Sequence, residues 1–303
     1  MQRKVRIGSR DSKLAVVQAE LIKAAIESVS VKTGMKTEVE IITMKTTGDM
    51  ILNKSLDKIG GKGLFVKELD VALLANRIDL AVHSLKDMPM EQHTLLPILG
   101  YSKREDPRDA ILFDESGKAG KEDWIDITGI IGSSSKRRTI QLKHLFPKAT
   151  FQGIRGNVQT RLRKLEDEDY SAIVLATAGL RRLGLHKRIS RILSVEEVLP
   201  AAGQGILAVQ GRKGEDYAYL EQIFCRESAV IAQAERSFVR TLDGGCSSPV
   251  AAFAEFAGNQ IWLRGLYYEE ESEQYEIASI TGTPEEAEQL GEKLALQMKQ
   301  KWR

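Results

Sequence analysis

Cysteine is nearly absent: Cys225 and Cys246 are the only two among 303 residues. The basic start, Met1-Gln2-Arg3-Lys4, has no apolar stretch behind it, so no secretory leader is expected, and the two thiols read as reduced rather than paired. Histidine is scarce too, at four scattered positions, so no metal-ligand spacing occurs and no metal site is expected. No segment approaches the ~18 consecutive apolar residues of a membrane span. Also missing is an excess of charge of one sign: 44 basic residues face 42 acidic ones, for a net charge of +2. Bulk charge therefore does not indicate a general nucleic-acid or membrane-surface role, and any anion site must come from local clustering. The expected compartment is the cytoplasm.

What is present is the composition of a folded protein, 42% hydrophobic and 28% charged, in a chain long enough for two or three domains. Strand and helix patterns alternate through the first two-thirds. Val5-Arg6-Ile7 reads as a strand, and Leu14, Val17, Leu21, Ile22 and Ala25 follow at helical spacing. Strands are expected over 38–44 and 78–82, with a helix over 65–75 between them. The pattern breaks near Lys103–Arg108, where Pro107 excludes a helix interior, and then restarts. Ile130-Ile131, residues 149–152 and residues 172–175 read as strands, separated by helices through Ile140, Leu142 and Leu145 and through Val158, Leu162 and Leu165. Two tandem α/β units follow, with helices covering mostly parallel sheets. Beyond the Gly-rich joint Leu199–Gly205 the character changes. A helix over 227–242, a hairpin around Ala257-Gly258-Asn259-Gln260, a third strand over 275–281 and a helix start at Thr283-Pro284-Glu285-Glu286 predict a small α+β domain.

Basic residues gather at expected helix starts, where free backbone N–H groups and the helix dipole favour anions. Arg10 and Ser12 stand at one, Ser133, Ser135, Arg137 and Arg138 at another, and Arg155 with Arg161 at a third. Arginine forks suit carboxylates, although each could instead serve an ion pair inside the fold. Ser84, Lys86 and Asp87 follow a buried strand, where α/β sheets bind ligands; a turn or cap role is the plainer reading of the aspartate. His83 reads as a packed, hydrogen-bonded residue. Cys246 lies in Asp243-Gly244-Gly245-Cys246-Ser247-Ser248-Pro249, a loop open enough for a nucleophilic thiolate or for an inert turn residue. Cys225 reads as passive. Gly60-Gly61-Lys62-Gly63 lacks the Ser or Thr that a phosphate loop places after its lysine, and a mobile lid carrying Lys62 is expected instead.

Together these segments resemble the porphobilinogen deaminase (hydroxymethylbilane synthase) family over nearly the whole chain. The resemblance rests on Gly60–Glu68, Ala81–Pro89, Arg104–Ala110, Arg155–Val158, Leu199–Gly205, and Ala234-Glu235-Arg236 running into Gly244-Gly245-Cys246. It implies an α/β fold of two periplasmic-binding-protein-like lobes plus a small C-terminal α+β domain. Residues 1–103 with 200–218 would form the first lobe, 104–199 the second, and 219–303 the domain bearing the cofactor cysteine. It further implies a dipyrromethane cofactor held as a thioether by Cys246, and four porphobilinogen molecules joined head to tail with loss of ammonia. Asp87 resembles the family's catalytic carboxylate. Arg10, Ser12, Ser84, Lys86, Ser133, Ser135, Arg137, Arg138, Arg155, Arg161 and Arg182 match positions that bind cofactor and substrate. Ser133 stands where a threonine is commoner, which retains the hydroxyl. A monomer is implied. The competing reading is a two-lobed small-anion binding protein without catalysis, which needs neither Asp87 nor Cys246.

Overall fold

A computed structural model of the chain describes residues 3–33, 37–47, 66–91, 93–114, 127–244 and 249–301. Contacts divide it into two compact units, Met1–Glu105 with Ile206–Ala229, and Asp106–Gly205 with Val230–Arg303.

The first unit opens on β1 (Arg3–Arg10), in which Val5 and Ile7 are buried, and turns at Ser12 into α1 (Lys13–Thr33). Ala15, Ala19, Ile22 and Ile26 of α1 recur every three or four residues and are buried, as a helix lying on a sheet requires. Then come β2 (Thr37–Met44), α2 (Lys67–Leu74), β3 (Leu80–Ser84) and β4 (Ile98–Tyr101). The sheet has the order β2-β1-β3-β10-β4, in which β10 (Leu207–Gly211) returns from beyond the second unit. β1, β2 and β3 are parallel, whereas β10 is antiparallel to both of its neighbours. One face packs Val5, Ile7, Val82 and Val209 against α1, and Leu69, Leu73, Ile78 and Leu96 form a second apolar cluster.

The second unit begins with β5 (Asp109–Phe113) and continues through β6 (Ile130–Gly132), α3 (Lys136–Leu145), β7 (Thr150–Gln152), α4 (Val158–Asp167), β8 (Tyr170–Ala176), α5 (Thr177–Arg182) and β9 (Arg191–Ile192). Its sheet order is β7-β6-β8-β5-β9, with β6, β7 and β8 parallel and β5 antiparallel to β8 and β9. The tandem likeness is thus a shared topology: three parallel strands, then one antiparallel strand, then an edge. Both sheets are mixed rather than mostly parallel, because β5 and β10 each follow a passage of the chain from one unit to the other and enter the sheet reversed.

In the second unit α6 (Arg226–Thr241), of which residues 226–229 fall in the first unit, precedes an antiparallel meander of β11 (Ala251–Ala257), β12 (Gln260–Glu269) and β13 (Gln274–Gly282). The hairpin expected around Ala257-Gly258-Asn259-Gln260 forms with a tighter turn: Ala257 pairs with Gln260, which leaves Gly258-Asn259 as a two-residue loop. The capping box of Thr283 and Glu286, with Pro284 in the first turn, leads through a single 3₁₀ turn into α7 (Ala287–Lys301). Glu235 of α6 is fully buried. Its Oε2 accepts from Gly203 N and its Oε1 from Ala254 N, both at 2.7 Å, so one carboxylate ties the Gly-rich joint and β11 to the helix.

Candidate active site

In the first unit the parallel strands bring Arg10, Met44 and Ser84 to one edge of the sheet, the carboxyl end where α/β folds bind ligands. Ser12 begins α1 as a cap: its Oγ accepts from Ala15 N at 3.3 Å and its carbonyl from Val16 N at 3.0 Å. Ser84 closes β3, and its hydroxyl takes a 2.9 Å hydrogen bond from Gln18 Nε2, a buried α1 residue that sequence reasoning passed over. Lys86 and Asp87 sit half-buried in the 3₁₀ turn Leu85–Asp87, anchored by Leu85 N donating to Ile206 O at 3.0 Å. Arg10, Ser12, Ser84, Lys86 and Asp87 therefore gather at the ends of adjacent elements. Behind them His83 is buried, with Nε2 2.9 Å from Gln210 Oε1, while Gln210 Nε2 donates to Leu96 O at 3.0 Å. That network assigns the proton to Nε2 of a neutral ring. Burial lowers the imidazole pKa to about 4; Gln210 and Asp87 partly oppose the fall and Arg10 adds to it.

The second unit repeats the arrangement. β6 ends into Ser133, whose N–H donates to Gln152 O at 2.9 Å, and Ser135 Oγ caps α3 by accepting from Arg138 N at 3.4 Å. Three residues beyond β7, Arg155 leads into Gly156 and Asn157. Gly156 has φ +113°, and a Cβ there would lie 2.5 Å from the Thr160 methyl, so this turn requires glycine. Asn157 Oδ1 then caps α4 by accepting from Thr160 N at 2.9 Å. Arg161 returns Nε to Gly156 O at 2.9 Å, and Arg182 donates Nη2 to Gly205 O at 2.6 Å. Ser133 also lines a cavity of about 530 Å³ with Lys136, Lys143, Tyr268, Glu270 and Pro249, and Pro249 stands three residues past Cys246. Cys246 itself and Lys62 lie outside the described residues. Cys225 is half-buried, and its N–H donates to Tyr101 O at 2.8 Å.

Arg137 and Arg138 differ from the simple picture of forks at a helix start. They are 4% and 7% exposed and share the fully buried Asp109. Arg137 Nη1 meets Asp109 Oδ2 at 2.9 Å and Leu199 O at 2.8 Å; Arg138 Nη2 meets Oδ1 at 2.7 Å, and its Nη1 donates to Val174 O at 3.2 Å. Burial alone would raise the Asp109 pKa, but the two guanidiniums hold it far below the usual carboxylate range. Removing one partner from such a buried group costs about 3–5 kcal/mol. Arg138 Nε remains buried with no hydrogen-bond partner, a deficit of ~1–3 kcal/mol that an acceptor would relieve. Both arginines thus serve the fold, and a donor is left over. Asp109 and its further donor Gln204 were not singled out from sequence, because nothing local marks a strand aspartate as the partner of arginines 28 and 29 residues away.

A donor set of this kind, serines and guanidiniums beyond the strand ends with a buried N–H unmet, suits a ligand rich in carboxylates. A family profile described as "Porphobilinogen deaminase, dipyromethane cofactor binding domain" matches residues 5–219, and one described as "Porphobilinogen deaminase, C-terminal domain" matches residues 229–300. A porphobilinogen deaminase of Ruminiclostridium josui is 53% identical over 297 residues, covering 98% of each chain. Another, from Alkaliphilus oremlandii, is 52% identical over 98% of this chain and 97% of its own. Among solved structures, the periplasmic VFT2 domain of Bordetella pertussis BvgS aligns with a TM-score of 0.38 at 16% identity, over 71% of this chain and 82% of that one. With both profiles matched in order and half of all residues shared with its relatives from end to end, the chain belongs to the porphobilinogen deaminase family.

Proposed function

We propose that this chain condenses four porphobilinogen molecules head to tail, releasing ammonia at each addition, to give the linear tetrapyrrole hydroxymethylbilane. The observation that carries the reading is the family match over both profiles, 5–219 and 229–300. A dipyrromethane attached through Cys246, when bound, supplies the pyrrole to which the first substrate is joined. Arg10, Ser12, Ser84 and Lys86 in one unit, and Ser133, Ser135, Arg137, Arg138, Arg155, Arg161 and Arg182 in the other, hold acetate and propionate arms. Each pyrrole brings two carboxylates, so several cations are needed although the whole chain carries only +2.

Asp87 is the catalytic carboxylate. Loss of ammonia from an aminomethyl pyrrole leaves an electron-poor azafulvene, cationic when its nitrogen is protonated. A carboxylate ~4 Å away stabilises that charge by up to ~4 kcal/mol at an effective dielectric near 20. It also accepts the pyrrole proton as the charge is discharged. Its place in the turn after β3, fixed through Leu85, holds it where a ligand at the strand ends would meet it. A thiolate at Cys246 captures the same kind of electrophile.

The protein acts as a cytoplasmic monomer of three domains, 1–103 with 200–218, 104–199 and 219–303. Among the described residues no helix is long and apolar enough to cross a membrane. The test is turnover. Purified protein should consume four porphobilinogen per tetrapyrrole with matching ammonia, and Asp87→Ala should keep its melting temperature while losing nearly all ammonia release. Near-normal turnover in that variant contradicts the assignment, and an inert wild type contradicts the function.

A further inference from the structure

We infer that Asp109 is a positioning residue for the ligand's carboxylates, acting through the paired guanidiniums of Arg137 and Arg138. The inference rests on the reading of those two arginines as carboxylate binders and adds the group that makes them one. Two adjacent guanidiniums repel, and flexible side chains would part to solvent. Here they converge because one fully buried carboxylate takes Arg137 on Oδ2 at 2.9 Å and Arg138 on Oδ1 at 2.7 Å. The trio carries one net positive charge across two forks.

Its orientation is fixed from outside as well. Gln204 Nε2 donates to Asp109 Oδ1 at 2.9 Å and to Pro107 O at 2.6 Å. Arg137 Nη1 and Gln141 Nε2 both donate to Leu199 O, at 2.8 and 3.2 Å, and Gln141 Oε1 accepts from Leu199 N at 2.7 Å. The anchoring uses one terminal nitrogen of Arg137 and both terminal nitrogens of Arg138. Arg138 Nε is left buried and without a partner.

The test compares Asp109→Asn with the wild type in the full-length chain, using porphobilinogen as the probe. Asparagine keeps the shape and removes the charge that draws the guanidiniums together. Three quantities are read: the thermal melt, the denatured intact mass, and KM separately from kcat. Folded Asp109→Asn should show KM raised at least tenfold with kcat changed less than KM, or should lack the two-pyrrole adduct that the wild type carries. A purely structural Asp109 would lower the melting temperature and leave KM of the surviving holoenzyme within twofold of wild type, and that result overturns the inference. If Asp109→Asn does not fold, Gln204→Leu, which removes the hydrogen bonds to Asp109 and Pro107 and no charge, should raise KM severalfold; an unchanged KM there overturns it equally. Wild-type protein without adduct or turnover would remove the functional reading and this inference with it. A normal wild type beside a normal Asp109→Asn removes this inference alone.

Discussion

His83 lies one residue before the end of β3, within electrostatic reach of both Arg10 and Asp87, and burial holds its imidazole at about pKa 4 against the ordinary 6.5. The ring is therefore a neutral hydrogen-bond donor to Gln210 across the working range, and it braces the strand that leads into the turn carrying Lys86 and Asp87. The consequence for stability has a definite sign. Between pH 6.5 and 4 the unfolded chain takes up a proton that the folded chain refuses, so stability is full above pH 6.5, declines as pH falls through that window, and levels off below 4. The whole change is about 3 kcal/mol, of which about 2 is lost by pH 5. Urea unfolding at pH 7.5 and pH 5 should show this decrement in the wild type and not in His83→Gln. Equal decrements in the two proteins would contradict the account.

At the scale of elements, α7 crosses α6 so closely that a Cβ at Gly291 would stand 2.4 Å from Ala234 O and 2.7 Å from Phe238 N. Backbone atoms cannot swing aside as a side chain can. Gly291→Ala would gain ~1 kcal/mol of helix propensity and lose more by overpacking, for a net loss of about 1–2 kcal/mol. A lower melting temperature checks this, and an unchanged or higher one refutes it. The elements that periodicity reveals are those whose signal is local. α1 and α6 show an apolar stripe, the Gly258-Asn259 turn joins two alternating runs, and Thr283 with Glu286 announces the start of the last helix. β5 and β10 went unread because Ala110–Leu112 and Leu207–Val209 are short buried runs whose partners lie far away in the chain. The same non-locality hid Asp109 and Glu235. Each is a carboxylate whose role exists only once distant backbone and guanidinium groups arrive, whereas Arg137, Arg138 and Ser135 could be placed at a helix start from their own neighbourhood.

For the molecule as a whole, two sheets of the same strand order each bring polar and cationic side chains to the ends of their parallel strands. The chain passes from one unit to the other after Glu105, Gly205 and Ala229. That architecture presents local cations on a chain of nearly zero net charge, as an acidic pyrrole substrate demands without wholesale attraction of polyanions. We propose that a covalent primer hangs from one sulfur, that of Cys246. Denatured intact mass of freshly purified protein and of Cys246→Ala measures it directly. The wild type should exceed its sequence mass by two pyrrole units and the variant should match its own; a bare wild type, or an adduct that survives the substitution, would contradict the account.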